Sequence, residues 1–370
     1  MKTMRSRWCF VGFGFGCGIF GLVLAGCSSI GPGALPRDRV DYIGAMGESW
    51  KQQTLLNIVL LRYGDAPTFM DVSSVIASYA FIGNANAGAA INVEGSAAPI
   101  TFPKAVGSFG VGATYLDRPT ISYTPLTGDK FTKNLLRPIP PSAIFSLIAA
   151  GYPADLMLQI TTRALNGVYN RSSATLDTRP SDPEFYPLLD SLRRIQLSGA
   201  ISLRVEKRGN DETGIIVFAG HVTPEIQQDI ELVRRTLKLT AEDGNVILSY
   251  GALQRTGNEL AVLSRSMIEI LQEFGARIEV PSDHINKGRT LANVQTGEGD
   301  QSRDRPMIRI LAGAKAADDA FAAVRYRDTW YWIDDGDFYS KRAFTFLLLF
   351  FSLLETGVQQ QAPLLTLPVQ

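Results

Sequence analysis

The sequence predicts an α+β fold in which antiparallel hairpins pack with amphipathic helices, organised as two subdomains. Three observations carry this. Apolar and polar residues alternate with period two over 75–93 and 108–123, the pattern of paired strands with two unlike faces. In the second half, helical periods alternate with short strand pairs joined by turn residues, a rhythm that suits antiparallel sheets. The 370 residues are 45% hydrophobic and 19% charged, so the chain can bury a core, and its length suggests about two domains.

The first expected element is a helix over 41–63, because Ile43, Met46, Trp50, Leu55, Ile58 and Leu61 recur at helical spacing. Asp38 would be its N-cap and Gly64 its stop. Next come odd positions Val75, Ala77, Tyr79, Phe81, Gly83, Ala85, Ala87, Ala89, Ile91 and Val93, set against Ser74, Ser78, Asn84, Asn86 and Asn92. A second stretch answers with Phe109, Val111, Ala113 and Tyr115 against Ser108, Gly110, Gly112 and Thr114, and Ile121 and Tyr123 continue it. A Gly/Pro turn region over 95–103 lies between them. One reading is a long hairpin in an ordinary sheet. The other is a membrane-inserting hairpin, one per subunit, in a barrel built by oligomerisation. Membrane strands need about 9–11 alternating residues, and both stretches are long enough. The abundance of Ala and Gly on the apolar face argues against insertion.

Pro138, Pro140 and Pro141 precede a short helix capped by Ser142 and ended by Gly151. Pro153 opens another helix over 154–165, with Leu156, Ile160 and Leu165 inward. The polar, Pro-containing stretch 175–187 marks a boundary. Beyond it the pattern predicts a helix over 185–197, strands over 201–207 and 214–219, and a helix over 224–239. Strands over 246–250 and 259–263 follow, then a helix to Phe274 capped by Ser264. Residues 284–305 read as an exposed loop. Strands are expected over 308–311, 321–327 and 330–333, with the last turn at Asp328-Thr329. An apolar helix over 338–354 ends at Gly357; its uncharged part is too short to span a bilayer.

The formal net charge is zero, but Lys2, Arg5 and Arg7 sit before an uncharged run. Without them 33 basic residues face 36 acidic ones. A slightly acidic chain with no basic block argues against nucleic acid as a partner. Met1–Arg7, the apolar run 8–24 and the small pair Ala25-Gly26 form the three parts of a secretory signal. Leu24-Ala25-Gly26-Cys27 resembles the lipobox of bacterial lipoproteins. That resemblance implies cleavage before Cys27, a diacylglyceryl thioether on its sulfur, usually a further acyl chain such as palmitate on the new N-terminus, and anchoring by two or more chains. Ser28, where an aspartate commonly retains such proteins at the inner membrane, implies outer-membrane export. Cys9 and Cys17 would leave with the signal, so the mature chain would have no disulfide and no free thiol. Gly16, Gly18 and Gly21 match a dinucleotide-binding spacing, but no strand precedes them.

These features divide the chain into a signal peptide (1–26), an anchor and tether (27–40), an N-terminal region with the helix and hairpin (41–175), a C-terminal α+β domain (176–357) and a tail (358–370). The blocks Ser264–Leu271 to Pro281 and Phe321–Arg327 to Asp335 resemble an uncharacterised group of Gram-negative envelope proteins, which implies no activity.

Candidate chemistry is sparse. His221 and His284 are the only histidines and lack ligand spacing. Asp334, Asp335 and Asp337 suit a hard cation but lack the spaced acid series of a calcium loop; helix N-terminal acids are the simpler reading. No catalytic, cofactor or metal residue is assigned. Arg325, Tyr326, Arg327, Trp330 and Trp332 form a candidate recognition face. The expected function is a non-enzymatic, lipid-anchored periplasmic component of an envelope assembly, bound to the membrane through Cys27 and to an envelope protein, with a homo-oligomer open. The alternatives are a lipid-tethered cell-wall hydrolase or an oligomeric secretion or pore subunit using hairpin 75–123.

Overall fold

The structure, a computed structural model, describes residues 35–76, 79–91, 105–117, 119–173, 178–208, 211–219, 221–240, 245–292 and 307–354. The signal, Cys27, the 95–103 turn and the tail lie outside these. The α+β expectation holds: helices combine with antiparallel and mixed sheets, and among the described residues none closes into a barrel. The chain divides into two compact units that interleave in sequence. One comprises residues up to Met46 with Met70–Pro125; the other comprises Gly47–Phe69 with Leu126–Gln370.

The strands of the first unit form two two-stranded ladders. β1 (Met70–Ile76) pairs with β4 (Thr120–Pro125), and β2 (Tyr79–Ile91) pairs with β3 (Ala105–Asp117). Ile76 faces Thr120 and Tyr79 faces Asp117, so the two ladders keep one register. A bulge at Ser73 shifts it by one, and the Ser73 hydroxyl donates to the Ser122 carbonyl at 3.1 Å.

Helix α1 runs from Leu35 to Arg62, so the expected tether to residue 40 is helical from 35 and Asp38 lies in the first turn instead of capping it. Its apolar spacing serves a core only in the second half. Leu55 and Ile58 are fully buried, whereas Ile43 is 60% and Met46 42% exposed.

In the second unit the six-stranded sheet has the order β6-β5-β10-β9-β8-β7. Its strands are β5 (Thr162–Leu165), β6 (Val168–Tyr169), β7 (Ile201–Arg208), β8 (Asp211–Phe218), β9 (Asn245–Tyr250) and β10 (Glu259–Ser264). β9 and β10 pair in parallel, which corrects the expectation of antiparallel pairs throughout. Helix α2 (Pro141–Ala149) packs on β7–β9, while α3 (Ala154–Thr161), α4 (Phe185–Leu197) and α5 (Pro224–Thr236) pack in succession. Pro187 falls in the first turn of α4, where a proline removes no helical hydrogen bond.

The helix expected over 154–165 stops at Thr161 and becomes strand β5. Two β-branched residues sit at that junction. The Thr161 and Thr162 hydroxyls donate to the Met157 and Leu158 carbonyls at 2.7 and 2.6 Å, and β5 then pairs with β10. The freed carbonyls of Gln159 and Ile160 accept from Arg265, which is buried to 1% exposure. Glu273, equally buried, stands 3.7 Å from Arg265 and accepts the Ser173 N–H. Desolvation lowers the Arg265 pKa and Glu273 opposes that shift.

Helix α6 (Met267–Gly275) is capped by Ser266, not Ser264, through a reciprocal capping box with Glu269. Gly275 lies where a Cβ would stand 3.1 Å from the Ile58 carbonyl, so α6 and α1 approach closely only because it has no side chain. The expected loop from 284 begins inside a short helix, α7 (Ser282–Asn286), with His284 buried.

The third sheet has the order β11-β13-β12, from β11 (Leu311–Gly313), β12 (Ala322–Tyr326) and β13 (Thr329–Ile333). Its tight turn is Arg327-Asp328, one residue earlier than expected, with φ of 46° and 63°. Two left-handed residues in a two-residue hairpin loop match the strand twist. Helix α8 (Phe338–Leu354) buries Phe344, Leu347 and Phe350. Among the described residues no helix is long and apolar enough to cross a membrane.

Candidate functional site

The β2–β3 ribbon has the most unusual geometry. Each strand has 13 residues, every residue is paired, and no third strand joins either edge among the described residues. Both outer edges therefore present backbone N–H and C=O groups without a ladder partner. An isolated two-stranded hairpin is marginal in water. Pairing also sorts the faces. Ile82, Asn84 and Asn86 on β2 stand opposite Thr114, Gly112 and Gly110 on β3, and all six are exposed. The other face takes Phe81 with Tyr115, Ala85 with Val111, and Ala87 with Phe109. The alternation read from the sequence is thus two unlike faces of a single ladder, the first polar in its middle rows but carrying Ile82 as well.

The candidate recognition residues separate in space. Arg325 is the register partner of Trp330 and shares its face with Trp332. Trp332 faces Leu311 on the neighbouring strand, and its ring lies 3.3 Å from where a Cβ of Gly313 would be. Both tryptophans are half-buried and Arg325 is exposed. Tyr326 belongs to the opposite face, with Val324 and Tyr331. Its hydroxyl donates to Asp65, and the Arg327 guanidinium donates to the Tyr326 oxygen at 2.8 Å and to Asp65 at 3.1 Å. The five residues form no single surface.

A polar cluster that sequence spacing could not reveal lies behind Tyr326. The Tyr63 hydroxyl is 2.6 Å from His284 Nδ1 and 2.5 Å from the Tyr331 hydroxyl. With the His284 proton on Nε2, Nδ1 accepts from Tyr63, which in turn accepts from Tyr331; with the proton on Nδ1 the order reverses. Burial raises the Tyr331 and Tyr63 pKa values and, with Arg289 adding repulsion, lowers that of His284. All three groups are therefore neutral at pH 7. The cluster ties α1, α7 and the β12–β13 hairpin together. Tyr63 and Tyr331 lie 268 positions apart, beyond the reach of any local pattern.

His221 is exposed, away from this cluster's partners. Asp334, Asp335 and Asp337 are each engaged locally. Asp334 accepts the Gly336 N–H at 2.7 Å, Asp335 pairs with Lys341 at 2.5 Å, and Asp337 accepts the Ser340 N–H and hydroxyl. The last contact caps α8. Arg309, Leu311, Asp334, Gly336 and Asp337 line a cavity of about 290 Å³. Among the described residues no three His, Cys, Asp or Glu side chains converge as a metal site would need. No protein-family model, curated protein or solved structure matches this chain.

Proposed function

We propose that this chain is a lipid-anchored protein of the outer membrane, facing the periplasm, that serves as a non-enzymatic component of an envelope assembly. The observation that carries the reading is the open-edged ribbon. Twenty-six ladder residues with no third strand at either edge among the described residues are poorly stable alone and are completed by strands from outside the molecule. The lipobox at Leu24–Cys27 supports the location, because an acylated Cys27 would hold the ribbon-bearing unit at the bilayer.

The test is made on the full chain expressed in a Gram-negative host. Radiolabelled palmitate should enter the protein, and a Cys27→Ala variant should lose the label and accumulate unprocessed. After detergent extraction of the outer membrane, the protein should elute well above the mass of one acylated chain. Elution as a monomer, or normal processing of the Cys27→Ala variant, would overturn the reading.

A further inference from the structure

We propose that the strands completing the ribbon come from the ribbons of further copies of this chain. Copies joined in this way close into a β-barrel across the bilayer, with the Phe81/Tyr115 face toward lipid and the Asn84/Asn86 face around a water-filled lumen. This rests on the envelope-assembly reading and names its partner.

Strand direction is the first support. β2 and β3 are antiparallel, so each ribbon offers one edge of either direction. Around a rotation axis, β3 of one copy meets β2 of the next running the opposite way. The alternation continues without a break, and a head-to-tail contact repeated by rotation closes into a ring. Closure removes both free edges.

Edge chemistry is the second. Natural edge strands are blunted by charge, proline or bulges. β2 and β3 contain no Lys, Arg, Glu or Pro, and their one charge is Asp117 in the terminal row. Nothing within the 13 rows opposes continuation of the sheet.

Face and length are the third. Thirteen rows span about 41 Å at roughly 3.4 Å per residue. Tilted by about 40°, as membrane strands are, they cover roughly 31 Å, close to the ~30 Å hydrocarbon core. The abundance of Ala and Gly on the apolar face is answered by the register. Ala85 stands opposite Val111, Ala87 opposite Phe109 and Ala105 opposite Ile91. The aromatic rows at Phe81/Tyr115 and Phe109 are six residues apart, about 20 Å, near the height of the apolar band of membrane barrels. The opposite face carries Asn84, Asn86, Ser108 and Thr114 in its middle rows and Ala80, Ile82, Leu116, Ala90 and Val106 toward its two ends, so the small polar side chains that suit a wet lumen are confined to the middle of the ribbon.

The test uses the full acylated protein extracted from outer membranes in detergent. Native mass spectrometry should give an integer multiple of this chain and no other protein. Added to planar bilayers of phosphatidylethanolamine and phosphatidylglycerol, it should conduct ions. Asn84→Lys with Asn86→Lys should keep the oligomer and shift its ion preference toward anions. Ala85→Lys with Ala87→Lys, one position over, should lose the inserted oligomer while the rest of the fold keeps its far-ultraviolet circular dichroism. One copy bound to a different protein would overturn this proposal and leave the envelope-assembly reading standing. A monomer would remove both. An oligomer of this chain that does not conduct, or equal outcomes for lysines on the two faces, would overturn the barrel.

Discussion

β7–β8 and β2–β3 are both antiparallel hairpins in unbroken register, yet their edges are built from different chemistry. β7 ends a six-stranded sheet, and half of its eight residues are charged: Arg204, Glu206, Lys207 and Arg208. The sheet's other edge, β6, is only two residues long. Charge and shortness are two ways of stopping a sheet from recruiting further strands. β2–β3 uses neither over 13 rows. The contrast teaches that hairpin geometry alone does not say whether an edge is a boundary or a junction. The side chains along the edge decide that.

If the six-stranded unit is complete in itself, its stability should depend on its own core. Glu273→Ala leaves Arg265 buried without its counter-charge, so urea unfolding should show a loss of about 3–5 kcal/mol. An unchanged midpoint would mean that the carbonyls of Gln159, Ile160 and Arg171 satisfy Arg265 by themselves. Tyr331→Phe removes the hydroxyl that pairs with Tyr63 inside the same unit and should cost about 1–3 kcal/mol in the same measurement. A loss below 0.5 kcal/mol, a threshold set by ordinary surface substitutions, would show that the cluster contributes packing only.

Acid is a gentler probe of that cluster. Burial lowers the His284 pKa below its ordinary 6.5. The unfolded chain then binds a proton more readily than the folded one. The His284 contribution is fully present above pH 6.5 and is lost as the pH falls below it through the folded value. Asp229, held low by hydrogen bonds from Arg194, loses its share only as the pH falls below about its ordinary 3.8, so the two effects separate. Urea midpoints should fall between pH 7.5 and 5 in the native chain and flatten in His284→Asn; parallel slopes in both would refute the assignment.

The smallest effect on stability should come from the edge itself. Arg204→Thr, Glu206→Thr and Lys207→Thr, made singly, should each change unfolding free energy by no more than about 0.5 kcal/mol; the self-association test combines the three in the Ala85→Lys, Ala87→Lys background. Sedimentation velocity should nevertheless show new self-association through β7. A variant that stays monomeric would mean that charge is not what closes this edge.

Much of the architecture was legible because it is local. Where the described residues cover it, the alternation over 75–93 and 108–123 falls on the end of β1, on β2 and β3 and on the start of β4, and helix 185–197 was matched residue for residue by α4. The failures share a cause. Only the last four residues of the helix expected over 154–165 turned into strand β5, because β10 offered a ladder and sheet pairing outweighs helical spacing there. His284 read as loop because its α7 helix is five residues long and held from outside by Tyr63. Ile43 and Met46 fitted the helical stripe but face solvent within the chain, since periodicity marks a face without saying what covers it. The recognition face was half legible: alternation separates Trp330 and Trp332 from Tyr331, but only the Asp65 contact shows Tyr326 turning the other way.

By itself the sequence determined the element types, the two unlike faces of the ribbon and the uncharged character of its edges, because period and composition act over a few residues. It also carries Leu24-Ala25-Gly26-Cys27, which resembles a lipobox, a motif of processing rather than folding. Tertiary structure alone decided the parallel pairing of β9 with β10, the Tyr63–His284–Tyr331 cluster, the burial of Arg265 against Glu273, and the absence of a third strand beside β2 and β3 among the described residues. Each of these joins or separates groups far apart in the chain, and packing and hydrogen-bond satisfaction settle such pairings only once the whole chain has folded.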